Sequence, residues 1–239
     1  MATGADYLCL NGGGGGGGGG GDDRRGRVEC LTKFVEQASL ESQRYYLSRK
    51  TVMEMLRDRG YDVADSELTG SFTEFLSEFG DNPDILKLRI SASLHSHPDK
   101  KMVVVFMGTE EIKLANIRGL LCQIKNKESL NGLILILQSK MNHYARKELG
   151  QFPSKVEIFH ISDLLVNITK HVLKPRHEVL TAEQKQQLLN KFSSEDKQLP
   201  RMLVTDAISR YYGFEKGQVV KITYSGGLVD SLVTYRCVT

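Results

Sequence analysis

The sequence contains no tryptophan, few prolines and no long hydrophobic run. Its longest apolar runs, Met102–Met107 and Leu133–Leu137, fall far below the roughly 20 residues that a membrane-spanning helix needs. We therefore expect no transmembrane segment and no membrane partner. The N-terminus also lacks a basic leader followed by an apolar stretch, which favours a cytosolic or nuclear protein over a secreted one.

Cysteine is also scarce, with four residues among 239. They are widely separated at Cys9, Cys30, Cys122 and Cys237, and no two of them form a C-x-x-C pair. This spacing argues against a disulfide framework and against a zinc site. We expect reduced thiols, no metal and no cofactor.

The chain has no strong excess of one charge, because its formal net charge is only +3. Residues 171–239 hold 10 Lys/Arg and 7 Asp/Glu, which leaves 22 of each in the residues before them. Proteins that bind duplex DNA on their own usually carry a basic face that displaces counterions from phosphates. Any contact with DNA is therefore expected to be auxiliary.

Three segments differ in composition. Residues 1–27 contain the glycine tract Gly12–Gly21, which offers no side chains for a core, so we predict a disordered extension. Residues 28–170 open with two helical patterns: one between Leu40 and Arg59, and one that begins at a capping box, Ser71 to Glu74.

The rest of this second segment alternates between short apolar runs and helical patterns, which is typical of an α/β domain. Its sheet should be mixed, partly parallel and flanked by helices, because continuously apolar strands indicate burial on both faces. The strands are predicted at Leu88–Ala92, Met102–Phe106, Gly132–Gln138 and Lys155–Phe159, and the helices at Glu110–Lys125 and Met141–Leu149.

Residues 171–239 form the third segment, which we predict to be a small α+β module. Thr181 opens one helix, and Asp206 caps a shorter one that Gly213 ends. Gln218–Tyr224 and Leu232–Val238 read as two strands. A module of about seventy residues buries a small share of its surface, so it should gain stability from docking on a partner.

One enzymatic pattern stands out. Asp99, Glu111 and Lys113 give the outline of the P-D…(D/E)-x-K pattern of magnesium-dependent nucleases, in which carboxylates hold the metal and the lysine helps to activate water. We place Glu111 in the first turn of a helix, where an acidic residue is an ordinary partner of the helix dipole. His95 and His97 read as part of a polar loop between two strands rather than as metal ligands.

Several motifs, in order and spacing, resemble the common fifth subunit of eukaryotic nuclear RNA polymerases, whose C-terminal part is similar to a small subunit of archaeal RNA polymerase. Toward the C-terminus they are Asn167–Leu180, Gln198–Arg201, Asp206, Arg210–Gly213, Lys216–Ile222 and Val233–Arg236. The N-terminal jaw domain of that family is resembled more loosely, at Arg57–Tyr61, Gly132–Ile136 and Leu164–Thr169.

The resemblance implies a non-catalytic subunit in the nucleus, with no small-molecule substrate. Its C-terminal assembly domain would dock on the largest polymerase subunit, among other subunits, while the jaw reaches toward downstream duplex DNA. By motif, the partner-binding residues would be Pro200, Arg201, Asp206, Tyr211, Gly213, Gly217, Val220 and Arg236. Alternatively, Gly213 and Gly217 set backbone geometry, and Val220 belongs to the core.

Departures from the family pattern indicate which member of the family the chain resembles. Ala207 stands where the family usually has proline, Glu215 where a basic residue is expected, and Ser225–Ser231 replaces a different segment. These departures resemble the paralogue of plant RNA polymerase V, which acts in RNA-directed DNA methylation and gene silencing. The alternatives are the subunit shared by polymerases I, II and III, a metal-dependent nuclease and a free DNA-binding adaptor.

Overall fold

The computed structural model describes residues 38–124, 129–192, 198–226 and 229–239. Two four-stranded sheets follow one another along this part of the chain. The predicted extension over residues 1–27 lies outside the described residues. Within those that are described, no helix combines the length and the apolar character that crossing a membrane requires.

Three helices precede the first sheet: α1 (Leu40–Asp58), α2 (Asp65–Thr69) and α3 (Phe72–Phe79). The sequence predicts α1 and α3, whereas the five-residue α2 was not predicted. The capping box of α3 is present, since the Ser71 hydroxyl accepts from the Glu74 amide and the Glu74 carboxylate accepts from the Ser71 amide. Gly60 and Gly80, which follow α1 and α3, have φ angles of +85° and +75°. Glycine adopts this left-handed region without a steric penalty, so both helices end where predicted.

The first sheet is mixed, as predicted, with its strands in the order β1-β2-β3-β4. The β1 and β2 strands are antiparallel, whereas β2, β3 and β4 are parallel to one another. Two helices, α4 and α5, make the crossovers between the parallel strands. The bounds are Ile90–Leu94 (β1), His97–Phe106 (β2), Leu114–Gln123 (α4), Leu130–Leu137 (β3), His143–Gly150 (α5) and Lys155–His160 (β4).

Both faces of this sheet are buried, which explains the continuously apolar sequence of β3. Successive side chains of a strand point to opposite faces. Ile134 and Ile136 belong to a core shared with α1, α3 and Phe106, which we call the first core. Leu133 and Leu135 belong to a separate core that includes residues of α4 and α5.

Two predicted boundaries are wrong by four or more residues. The α4 helix begins at Leu114 rather than at Glu110, because Ile112 is held in an extended bridge to Met141. Glu111 therefore precedes the helix and does not lie in its first turn. The β2 strand begins at His97, five residues earlier than predicted, because this polar stretch pairs with the end of β1.

The second sheet has the strand order β5-β7-β8-β6 and is antiparallel except for the pair of β6 and β8. Its two edge strands, β5 and β6, were not predicted because they have only four and two residues, and their pairing depends on the distant β7 and β8. The bounds are Arg176–Val179 (β5), Ala182–Phe192 (α6), Arg201–Met202 (β6), Ala207–Tyr212 (α7), Val219–Gly226 (β7) and Val229–Val238 (β8).

The short helix α7 is shared between the two halves of the chain. Tyr211 is buried in the first core. Ile208 packs against a third core, formed by Met202, Phe214, Val220, Ile222 and Val238. Tyr212 packs against both cores. A helix of six residues would not be stable alone in water. It is held here because it contributes side chains to two cores.

Arg59, just after α1, joins the two halves by polar contacts. Its Nη2 lies 2.8 Å from Oε2 of Glu157 on β4, and the two side chains are only 6% and 14% exposed. The same guanidinium donates to the carbonyls of Tyr211 at 2.8 Å and Arg210 at 2.6 Å. These carbonyls lie in the last turn of α7, where a helix leaves its acceptors without intrahelical donors. Arg59 therefore caps a helix that lies about 150 residues further along the chain.

The side chain of Tyr211 completes this junction. Its hydroxyl donates to the Asp58 carboxylate at 2.9 Å and accepts from the Asn167 amide at 3.2 Å. Burial raises the pKa of the Tyr211 phenol, so the hydroxyl keeps its proton and remains a donor. The third segment was expected to gain stability from a partner. The structure shows that it already docks on the first half of its own chain.

We expect Arg59→Ala to lower the free energy of unfolding by about 3 kcal/mol, because it leaves a largely buried carboxylate with only the more distant Lys155 and uncaps α7. Arg118→Ala is the matched control, since the Arg118 side chain is 61% exposed in its pair with Glu148. That change should cost about 1 kcal/mol or less. Urea unfolding measures both, and equal losses would contradict the assignment of Arg59 as the junction.

Candidate functional site

One face of the second sheet is only partly covered. Residues directly opposite each other on antiparallel strands share a face, which places Ile222 with His177, Val220 with Arg236, and Tyr224 with Leu232. Val220 and Ile222 are buried in the third core, whereas Tyr224 is 39% and Leu232 54% exposed. The apolar face therefore continues beyond the part that α7 covers.

A groove of about 570 Å³ lies on this face, beside the start of α7. We call it the Arg201–Arg236 groove. Its lining includes His177, Arg201, Met202, Leu203, Asp206, Ile222, Tyr224 and Arg236. Three of the residues predicted to bind a partner, Arg201, Asp206 and Arg236, are thus brought together in one place.

The two arginines are positioned by the pairing of β6 with β8. Arg201 is the register partner of Cys237, and Arg236 Nη1 lies 3.5 Å from the Arg201 carbonyl oxygen, at the limit of a hydrogen bond. Both residues are exposed. Among the residues that the structure describes, neither forms an ion pair with a carboxylate. The groove therefore presents two guanidinium groups that no carboxylate of the described residues neutralises directly.

Asp206 has a structural task at the groove. Its Oδ1 accepts hydrogen bonds from the amides of Ile208 at 2.9 Å and Ser209 at 3.4 Å, which makes it the N-cap of α7. Gly213 ends the same helix with a φ of +69°, and a Cβ there would lie 3.2 Å from the Arg59 guanidinium carbon. Gly217 also has a positive φ, +84°. Both glycines thus set backbone geometry, the alternative that the sequence left open.

The other predicted residues lie outside the groove. Val220 is fully buried in the third core, and Tyr211 is 4% exposed at the junction with the first core. Pro200 is exposed next to β6, where its carbonyl accepts from the Cys237 amide at 2.8 Å. Contact of any of the eight residues with a partner stays a prediction. Because Tyr211 and Val220 are buried, their effect on a partner would be indirect, through the shape of the surface that they support.

Sequence reasoning missed His177, Leu203 and Tyr224 as groove residues. A signal for Tyr224 was present, because Val220, Ile222 and Tyr224 follow the two-residue period of one strand face. Leu203, which is 61% exposed, gives no such signal, since its place depends on the pairing of the two-residue strand before it.

The nuclease pattern is not assembled. Asp99 lies near the start of β2, and Glu111 follows the end of that strand. At about 3.3 Å per residue, the strand between them separates the two carboxylates by on the order of 20 Å. Within the described ranges, no three His, Cys, Asp or Glu side chains are grouped so that they could hold a metal ion.

Comparison with known families accounts for both halves of the fold. The model of RNA polymerase Rpb5, N-terminal domain, matches residues 39–124, and the model of RNA polymerase Rpb5, C-terminal domain, matches residues 166–238. The chain belongs to the Rpb5 family. The resemblance seen in the sequence motifs is thereby confirmed.

Individual Rpb5 relatives differ in their similarity to the chain. DNA-directed RNA polymerase V subunit 5C of Arabidopsis thaliana is 53% identical over 87% of this chain and 90% of its own length. Subunit 5A from the same plant is 52% identical over 88% of the chain and 95% of its length. The RPABC1 subunit of DNA-directed RNA polymerases I, II, and III from Caenorhabditis briggsae is 36% identical over 83% of this chain and 97% of its own length.

The departures from the Rpb5 pattern are not all at the groove. The carboxylate of Glu215 lies 3.6 Å from Nζ of Lys155 on β4, which also donates to the Gly213 carbonyl at 3.1 Å. Glu215 therefore faces the first half of the chain, in a separate cleft. Ala207 is the exposed first residue of α7. The Ser225–Ser231 segment lies partly outside the described residues, so its role stays a prediction.

His177 is half-buried in the groove, with Nδ1 2.8 Å from the Pro175 carbonyl oxygen. Burial lowers the pKa of this imidazole, and the charges of Lys174 and Arg236 lower it further. The Pro175 carbonyl and the Asp206 carboxylate oppose the shift without cancelling it. His177 is consequently neutral at pH 7, and the positive charge of the groove comes from its arginines.

We expect Ala207→Pro to raise the free energy of unfolding by about 0.4–1 kcal/mol. The amide of the first helical residue has no intrahelical acceptor, and the extended backbone of Asp206 (φ −58°, ψ 141°) suits a residue before proline. Gln186→Pro, in the middle of α6, should instead cost about 3 kcal/mol. Urea unfolding compares them, and destabilisation by Ala207→Pro would show that α7 cannot accept the usual family residue.

We expect stability to fall as the pH drops below about 6.5, the ordinary pKa of histidine. In that window the unfolded chain protonates His177 before the folded chain does, so protons favour unfolding. His177→Gln keeps a donor for the Pro175 carbonyl and should reduce this loss. Urea unfolding between pH 5 and 8 measures the difference, and parallel profiles for the two proteins would contradict it.

Proposed function

We propose that this chain is a non-catalytic fifth subunit of plant RNA polymerase V, the nuclear polymerase that acts in RNA-directed DNA methylation and gene silencing. The observation that carries the proposal is the contrast in identity, 53% and 52% to two subunits of polymerase V against 36% to a subunit of polymerases I, II, and III. Both kinds of relative are matched over more than four fifths of this chain, so the contrast does not arise from a single shared domain.

In this proposal the two halves have different tasks. Residues 28–170 form the jaw and residues 171–239 the assembly domain that docks on the largest polymerase subunit. The boundary is supported by the sheets, since β4 ends at His160 and β5 begins at Arg176. An exposed groove with unneutralised arginines supports a docking role for the second half.

The jaw would make only an auxiliary contact with downstream duplex DNA. The balance of 22 basic and 22 acidic residues before residue 171 supports this limit, because counterion release scales with the number of phosphates neutralised. A non-catalytic role is supported by the separation of Asp99 from Glu111, which leaves the nuclease pattern without a shared metal.

The test is purification of the tagged chain from nuclei of its source organism, followed by identification of the largest subunit that accompanies it. We expect the largest subunit of polymerase V. Recovery of the largest subunits of polymerases I, II and III would replace the proposal with the shared subunit. A chain that elutes alone at its own mass of 26.8 kDa would contradict both.

Two further results would point to the other classes of protein. Magnesium-dependent cleavage of DNA that is lost in Asp99→Ala would indicate a nuclease. Tight duplex binding by the isolated chain, with a steep dependence on salt, would indicate a DNA-binding adaptor. We expect neither from the purified chain.

A further inference from the structure

We infer that the Arg201–Arg236 groove receives a segment of the largest polymerase subunit that combines a large apolar side chain with a carboxylate. The inference rests on the proposed function, and it adds the chemistry of the partner segment. Arg201 and Arg236 are among the residues that the family motifs indicate, whereas the chemistry of the segment comes from the strand pairing and the exposure seen in this chain.

The apolar half of the inference comes from the floor of the groove. Met202 and Ile222 are buried members of the third core, and the same surface runs outward to Leu203 and Tyr224, which are exposed. Met202 and Ile222 are themselves covered, so the apolar surface that is open to solvent here belongs to Leu203 and Tyr224. An apolar side chain of a partner would pack on Leu203 and Tyr224 and remove them from water.

The carboxylate half comes from the charges around that floor. Arg201 and Arg236 are exposed and have no carboxylate partner in the described part of the chain. The one acidic residue that lines the groove, Asp206, uses its Oδ1 to cap α7. His177 adds no charge at neutral pH. An arginine offers paired N–H donors that match the two oxygens of a carboxylate, so charge complementarity favours an acidic side chain.

The surroundings favour a peptide over a nucleic-acid backbone. A phosphate backbone would place its charges against the apolar floor and near the Asp206 carboxylate, whereas a peptide can set an apolar side chain on that floor. Lys174, whose charge acts on His177, donates to the Tyr212 hydroxyl at 2.6 Å. Among the described residues that line the groove, the cations are Arg201 and Arg236, which do not form the row of cations that tracks a phosphate backbone.

The experiment uses full-length tagged chains, purified from nuclei as above, and measures the amount of largest subunit recovered per chain. Arg201→Gln and Arg236→Gln should each lower recovery by about tenfold, and the charge reversals Arg201→Glu and Arg236→Glu should lower it further. Arg236→Lys should restore part of the loss, because lysine keeps the charge but not the paired donors. Leu203→Ser tests whether an apolar side chain of the partner packs at the groove, and it should also lower the recovery of the largest subunit.

Lys221→Gln is the matched control. Lys221 lies on β7 one residue from both Val220 and Ile222, so its side chain points to the opposite face of the sheet. This change removes one positive charge from the same module without touching the groove, and recovery should stay at the wild-type level. Urea unfolding of every variant separates loss of docking from loss of folding. Should a reversal unfold the chain, the glutamine variants at the same exposed positions carry the test.

The outcomes separate the two levels of the proposal. If the wild-type chain recovers no polymerase, the proposed function fails. If it recovers polymerase and the folded arginine variants recover as much, the function stands and the groove inference is overturned. If the variants lose bound nucleic acid while they keep the largest subunit, the arginines bind phosphate, and the inference is likewise wrong.

Discussion

The fold depends on one guanidinium group that satisfies acceptors from both halves of the chain. Arg59 contacts the Glu157 carboxylate on the edge strand of the first sheet and the last carbonyls of α7. A buried carboxylate without a partner is costly, and so is a buried helix end without donors. One side chain removes both costs, and its planar fork of five donors suits that task better than a lysine would. The small second sheet is stable because this junction makes it part of a larger body.

This junction changes how the motifs of residues 171–239 are understood. A match to a family motif identifies residues that the family uses, but it does not separate those that face a partner from those that hold the domain together. Tyr211 and Gly213 are at the junction, and Val220 is in a core. Arg201 and Arg236 remain at the surface. The candidate site therefore contains only part of the motif residues, and it also includes Met202, Leu203 and Tyr224, which belong to no motif.

Local signals predicted much of the fold, because they act over a few residues. Ser71 with Gly80, and Asp206 with Gly213, mark the ends of two helices through capping bonds and positive φ angles. Features that depend on distant residues were missed. The polar start of β2 gains its strand geometry from β1, and β5 and β6 gain theirs from β7 and β8. Arg59 and Glu157 are 98 residues apart, so no local pattern could pair them, and the groove has the same nonlocal origin.

The shortness of α7 has a mechanical consequence. Its first turn, capped by Asp206, borders the groove, and its last turn is held by Arg59 against the first sheet. Six residues at 1.5 Å each separate these ends by about 9 Å. A helix transmits displacement along its axis far better than an irregular linker does. A load applied to the first sheet would therefore be passed along α7 to the border of the groove, so the two halves would act as one stiff bracket rather than as tethered units.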